Sequence, residues 1–278
     1  MTIEVPNAPR APLKVGIAGY GTIGRKVAAA LDRGIDGLAL AAVCARDRAK
    51  AAAAMRALEG QVPLVDADGL AQAADVIVEC VPRAAFIAIA EPALEAGRVL
   101  VTVSGAGLLA HPEVVDLAKR HGGRIILATG ALLGLDAVRA AAEGTIRSIT
   151  MVTRKPPKSL KGAPYLDETG IDVLRVNAPT KVFDGSARDG AKGFPANVNV
   201  AAALGLAGIG PDRTRLEIWA DPTVTRNTHS IKVESDEARF QMTIENVPSD
   251  ENPATGKITA LSVIACLRGL VAPLKVGT

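Results

Sequence analysis

An apolar run, Lys14-Val15-Gly16-Ile17-Ala18, empties into Gly19-Tyr20-Gly21-Thr22-Ile23-Gly24 and then into a helical pattern. Each glycine of this G-x-G-x-x-G has its own task in holding a pyrophosphate. Gly19 permits a tight turn, Gly21 lets backbone approach the phosphates, and Gly24 lets helix pack on strand. The free N–H groups at the start of such a helix attract the anion. Gly19, Tyr20, Gly21, Thr22, Ile23 and Gly24 are therefore candidate dinucleotide contacts. In this kind of unit an acidic side chain at the end of the second strand binds the ribose 2′-hydroxyl of NAD, and a basic one accommodates the 2′-phosphate of NADP. The stretch reads Val43-Cys44-Ala45-Arg46-Asp47. Arg46 suits a phosphate and Asp47 reads as a helix cap, which leans towards NADP or dual use; a solvated arginine is the plainer alternative.

Proton chemistry near neutral pH falls to histidine, and the chain has three. His111 precedes Pro112 at a helix start and His121 precedes Gly122-Gly123 at a helix end, where a cation is favourable, so both have structural explanations. His229 lies in Asn227-Thr228-His229, at the junction of a turn and a strand where a polar side chain can face a cleft; Asn227 and Thr228 join it as candidate substrate contacts. Arg154-Lys155-Pro156 puts two cations at a strand end. This is a sensible trap for a dicarboxylate, with an exposed basic loop as the alternative. Asn197 and Asn199 can bond a cofactor amide or substrate, or merely cap a helix. Ser104-Gly105 and Thr129-Gly130-Ala131 follow strands whose carboxyl-end loops line a ligand crevice, and small residues there let backbone approach a nicotinamide.

The elements that must position these residues follow from periodicity. Leu38–Val43, Asp75–Cys80, Arg98–Val103 and Arg124–Leu127 read as buried parallel strands. Helical patterns at 26–31, 47–58, 84–96 and 112–121 alternate with them, which predicts a Rossmann-type, doubly wound α/β sheet. From about Ala131 the pattern changes. Gly134–Glu143 reads as a helix and Ile146–Thr153 as a half-buried antiparallel strand. Leu216–Ala220, Thr228–Glu234 and Ala238–Ile244 read as meander strands, with a small-residue helix over Pro195–Leu206 before them. The expected division is a dinucleotide-binding domain over 1–130, and a second α/β (α+β) domain for substrate and oligomerisation over 131–253. An apolar helix within 254–278 is expected to pack back on the first domain.

Composition narrows the function classes. Aromatics make up 3% of the 278 residues and the net charge of +3 is dispersed, so nucleic acid is not an expected partner. Three cysteines without CxxC spacing suggest neither a disulfide framework nor a metal site, and fit a reducing cytoplasm. Met1–Pro12 reads as a flexible leader and not a signal peptide, and no apolar run has membrane-spanning length. A small anionic substrate and, because open sheets commonly pair, a homodimer are expected.

Taken together, the motifs resemble those of the L-aspartate dehydrogenases of the NAD-biosynthesis type. The resemblance rests on the glycine turn, Val78-Glu79-Cys80, Val103-Ser104-Gly105-Ala106, Thr129-Gly130-Ala131, Thr153-Arg154-Lys155-Pro156, Phe183–Arg188, Phe194–Ala201, Asp221-Pro222, Asn227-Thr228-His229 and Glu251–Gly256. It implies His229 as the catalytic histidine, Ala131 and Asn199 as cofactor contacts, and Cys80 among the cofactor-binding loops. The implied reaction is NAD- or NADP-dependent oxidation of L-aspartate to iminoaspartate, reversible as amination of oxaloacetate. The alternatives are a reductase of the dihydrodipicolinate-reductase-like class and a non-catalytic NADP-binding sensor. An aspartate-semialdehyde type would need Cys80 as an activated nucleophile.

Overall fold

The computed structural model describes residues 11–132, 134–195, 198–252 and 255–277. The first sheet takes its strands in the order β3-β2-β1-β4-β5-β6, all parallel. Its elements run β1 (Leu13–Ala18), α1 (Thr22–Asp32), β2 (Leu38–Cys44), α2 (Arg48–Met55), β3 (Leu64–Val65), α3 (Ala67–Ala73) and β4 (Val76–Glu79). They continue through α4 (Phe86–Glu95), β5 (Val99–Thr102), α5 (Gly105–Ala110), α6 (Glu113–His121) and β6 (Arg124–Leu127). The strand order reverses at β1 and β4, and the crevice of such a sheet opens there, at the carboxyl ends of the strands. The apolar runs of β1 and β4 are buried because helices cover both faces. Asp47 caps α2 by accepting from Lys50 N at 2.9 Å, as its sequence position implied. The pair β3–α3, with Asp66 capping α3 through Gly69 N at 2.8 Å, and the short α5 are additions to the elements read from periodicity.

The chain then builds α7 (Leu135–Ala142), β7 (Ile146–Lys155), α8 (Pro164–Thr169), β8 (Thr180–Ser186), α9 (Ala187–Gly193) and α10 (Asn199–Ala207). It ends with β9 (Thr214–Ala220), β10 (Thr228–Ser235), β11 (Arg239–Glu245) and α11 (Lys257–Val271). The second sheet has the order β11-β10-β7-β9-β8. This corrects the meander reading: β10 and β11 form a hairpin, but β7 lies between β10 and β9. It also corrects the reading of β7 as simply antiparallel, because β7 runs antiparallel to β10 and parallel to β9. A strand with two neighbours buries alternate residues completely. Ile149, Met151, Thr153 and Lys155 point to the face that packs against helices, and Thr150, Val152 and Arg154 to the other.

The last helix packs against the core of the first sheet. Val263 and Leu267 are fully buried in one core with Val15, Val27 and Leu31. Among the described residues no helix is long and apolar enough to cross a membrane. Truncating Leu267→Ala is expected to cost about 2–5 kcal/mol by urea unfolding, the range for a fully buried leucine; a loss below about 1 kcal/mol would mean that α11 is not part of the first domain's core.

Candidate active site

The glycine turn separates its three tasks in space. Gly19 has φ +94, and a Cβ there would lie 2.6 Å from the Cys80 carbonyl oxygen. A Cβ on Gly24 would lie 1.9 Å from the Gly19 carbonyl oxygen, whereas one on Gly21 would meet nothing within 4 Å. Gly19 and Gly24 therefore build the turn, and Gly21 leaves it open. Gly21 is also the N-cap of α1 and supplies no side-chain cap, so the N–H groups of the first turn stay available to an anion. This cradle fits the pyrophosphate of a dinucleotide.

Cys80 supports the turn from beneath. Its thiol donates to the carbonyls of Ala18 and Gly19, each at 3.2 Å, and its backbone N–H donates to Ala18 O at 2.9 Å. Burial, and then the neighbouring Glu79, push the thiol well above the ordinary range, the reverse of an activated nucleophile. The aspartate-semialdehyde alternative loses its chemistry here. The Cys80 side chain also serves the turn, not the cofactor face to which the sequence assigned it.

Ser104 and Gly105 are likewise structural. Glu79, at the end of β4, has no exposed surface and accepts from Ser104 Oγ (3.0 Å), Val81 N (2.9 Å) and Thr102 Oγ1. Burial raises its carboxyl above the usual carboxylate range, and the three hydrogen bonds partly offset this. The cluster fastens the carboxyl ends of β4 and β5 together. Gly105 allows α5 to touch α10, since a Cβ there would lie 2.8 Å from the Asn199 carbonyl oxygen.

A cleft opens between the carboxyl-end loops of the first sheet and one face of the second. Ile23, Thr129, Gly130 and Ala131 reach it from the first side, Asn199 from α10, Lys155 and His229 from β7 and β10, and Asn227 from the residue before β10. His229 pairs with Thr153 across the β7–β10 ladder, and its Nδ1 lies 3.1 Å from Thr153 Oγ1. That contact fixes the ring, and among the described residues Nε2 has no hydrogen-bond partner. Burial, then the charge of Lys155, hold His229 near a pKa of about 3, so the imidazole is neutral at physiological pH. Lys155 is 5% exposed, and burial lowers its ammonium to about 8, which still leaves it charged at neutral pH. Asn199 Oδ1 accepts from Ala106 N at 3.1 Å, so its amide NH₂ is the half left to bond a ligand.

Two predicted site residues face the other way. Arg154 and Thr228 are register partners on the opposite face of the sheet. There Arg154 bonds Asp221 at 3.1 Å and stacks 4.7 Å from the Trp219 ring centre. The strand's period of two parts Arg154 from Lys155, so the paired-cation trap reduces to Lys155 alone. Arg46 is exposed at the end of β2 without an ion-pair partner among the described residues, and Asn197 lies outside the described residues. His111 pairs with Glu113 at 3.0 Å, and His121 ends α6 before Gly122 (φ +68), as their structural readings required. Sequence reasoning missed Asn246 and Thr259, which also line the cleft. Asn246 precedes Val247-Pro248 and reads as an ordinary turn residue; only the sheet register places it beside Asn227.

Known proteins align with both halves of the chain. The family model described as "Aspartate dehydrogenase, C-terminal" matches residues 136–270, and "Homoserine dehydrogenase, NAD binding domain" matches residues 19–128. An L-aspartate dehydrogenase of Bradyrhizobium diazoefficiens is 58% identical over 96% of this chain and 94% of its own length. L-aspartate dehydrogenase 3 of Bordetella bronchiseptica is 52% identical over 97% and 99%. The crystal structure of an aspartate dehydrogenase from Thermotoga maritima has the same fold, with a TM-score of 0.73 at 24% identity over 95% and 99% of the two chains.

The glycine geometry separates binding from folding. Gly24→Ala should lower the melting temperature, whereas Gly21→Ala should melt like the wild type yet weaken dinucleotide binding by about tenfold or more, read by fluorescence of the reduced cofactor. Equal binding by Gly21→Ala would place the pyrophosphate elsewhere. For His229, the folded ring near 3 and the ordinary 6.5 mean that the unfolded chain takes up an extra proton between those values. Stability through this residue therefore falls as pH drops through that window, and His229→Gln should flatten that part of a melting-temperature–pH curve. Parallel curves would contradict the buried neutral ring.

Proposed function

This chain belongs to the L-aspartate dehydrogenase family, an oxidoreductase acting on a CH–NH₂ group, and we propose that L-aspartate is oxidised to iminoaspartate in the cleft between the two sheets. The imine then hydrolyses to oxaloacetate and ammonia or passes to quinolinate and pyridine nucleotide synthesis; in reverse, oxaloacetate is aminated. The observation that carries this reading is the placement of Lys155 and His229 on one sheet face, opposite the loop that follows β6.

When bound, the nicotinamide supplies the acceptor for the hydride that leaves Cα. The protein's own residues do the rest. Lys155, charged and desolvated, holds a substrate carboxylate with a strength that an exposed lysine would not have. His229, neutral and fixed through Nδ1, presents Nε2 for proton exchange as the amine becomes an imine and as water adds. Asn199 and Ala131 are proposed cofactor contacts beside the glycine turn, and Asn227 a substrate contact. Exposed Arg46 supports use of NADP as well as NAD. The free cysteines support a cytoplasmic setting, and the open face of the second sheet supports a homodimer.

The reading is tested by following reduced-nicotinamide absorbance with L-aspartate and either NAD or NADP, with L-glutamate, L-malate and D-aspartate as comparisons. Reduction with L-aspartate alone is expected. No reduction, together with no cofactor oxidation by oxaloacetate and ammonia, would overturn it. His229→Ala should lower kcat by about 10²-fold with cofactor affinity retained. Lys155→Met should raise the KM for aspartate by about tenfold or more, as expected for a lost charge-assisted hydrogen bond. Because Lys155 loses its charge above about 8, inhibition by succinate should weaken as pH rises through that value. A flat profile would remove Lys155 from carboxylate binding.

A further inference from the structure

An amino dicarboxylate needs donors for its carboxylates and at least one acceptor for its amino group. Donors are plentiful in the cleft, but among the described residues that line it there is no Asp or Glu. The amino group must therefore find a neutral acceptor. Asn199 Oδ1 is already engaged by Ala106 N.

Asn246 is not so engaged. It is 5% exposed, and its Nδ2 donates to the Ala131 carbonyl at 3.2 Å, which identifies the other amide atom as the oxygen. That atom, Oδ1, is buried and finds no hydrogen-bond partner among the described residues. Leaving such an acceptor unpaired is costly, and native proteins do so at few places. The register shows where it faces. His229 pairs with Ile244 on β11, and two residues on Asn246 N donates to Asn227 O at 2.9 Å, so Asn227, His229 and Asn246 share the face that lines the cleft. A Cβ on Gly256 would come within 3.0 Å of Oδ1, so glycine at that position leaves no side chain against the oxygen.

We propose that Asn246 Oδ1 accepts a hydrogen bond from the amino group of the bound substrate, and that this contact selects an amino dicarboxylate over one lacking the amine. The proposal rests on the aspartate reading above and deepens it. It also has a chemical rationale. Hydride can leave Cα only when the nitrogen has a lone pair to give, which requires the neutral amine. A carboxylate acceptor would strongly stabilise the ammonium form and oppose that deprotonation, whereas an uncharged amide oxygen bonds the nitrogen with a much smaller bias towards the ammonium.

The test compares ligands with and without the amine. For the wild type, Asn246→Ala and Asn246→Asp, one measures kcat and KM for L-aspartate, the inhibition constant of succinate, and the dissociation constant of the reduced cofactor by fluorescence. Asn246→Ala is expected to raise the aspartate KM by about tenfold to a hundredfold, the range for one lost hydrogen bond in a dry site. The variant also loses the Nδ2 bond to Ala131 O, which loosens the loop for every ligand, so the expected signature is a loss for aspartate about tenfold larger than the loss for succinate. Asn246→Asp, nearly isosteric and informative if the alanine variant does not fold, should move the rise of kcat/KM with pH to more alkaline values, since its carboxylate favours the ammonium. Equal weakening of succinate and aspartate, weakened cofactor with aspartate unaffected, or an unmoved pH profile in Asn246→Asp would each overturn the assignment. A wild type that turns over no aspartate would overturn the aspartate reading along with it; turnover with one of those patterns overturns the role of Asn246 alone.

Discussion

The passage of the chain from the first sheet to the second, at Ala128–Leu132, is the constraint on which the rest of the cleft depends. This loop leaves β6 at the carboxyl edge of the parallel sheet and is held from three directions. Gly130, at φ +62, donates to Ser262 Oγ on α11 at 3.1 Å, Ala131 O accepts from Asn246 beyond β11, and Leu132 N closes the turn on Thr129 O. The left-handed residue requires glycine. The side-chain bonds tie the loop both to the helix that returns to the first core and to the last strand of the second sheet. A further tie links Arg25 at the start of α1 to Glu251 at 2.5 Å, between the glycine turn and the segment that follows Asn246. Both ends of that pair are about half exposed, so it contributes little stability. The distance between the dinucleotide cradle and the second sheet is thus set chiefly by hydrogen bonds around one short loop and by the packing of α11.

The chemistry of the cleft follows from alternation along β7 and β10. A central strand sends every second residue into a dry face, and on β7 that face ends in Thr153 and Lys155. Burial then does to each side chain what its charge dictates. It keeps the imidazole of His229 neutral and lowers the ammonium of Lys155 without discharging it at neutral pH. Proposed roles divide accordingly, one group to exchange a proton and one to hold an anion. The opposite face carries the Arg154–Asp221 pair and Trp219, where the guanidinium serves structure.

Much of this was legible in the sequence, for physical reasons. Strands buried on both faces leave unbroken apolar runs, so β1 and β4 were readable, and the glycine spacing identified the cradle because each glycine has a distinct steric task. Other features depended on tertiary partners. The two-residue β3 is too short to show a period, and β7 cannot reveal that its neighbours run in opposite senses. Arg154 and Lys155 are adjacent in sequence, and only the pleat sends them to opposite faces. Ser104, Gly105 and Cys80 occupy loops where ligands commonly bind, but here they pack the scaffold behind the site. Asn246 had no local signal because its significance lies in an unpaired oxygen, which exists only once β10 and β11 are in register.

The most direct test is a crystal structure of the protein with reduced cofactor and succinate bound together. A dicarboxylate in the cleft, with one carboxylate about 3 Å from Lys155 Nζ and the nicotinamide against Ala131 and Asn199, is the arrangement expected here. Succinate bound instead at Arg154 on the opposite face, or a nicotinamide directed away from His229, would contradict the claim that this cleft is where substrate and cofactor meet.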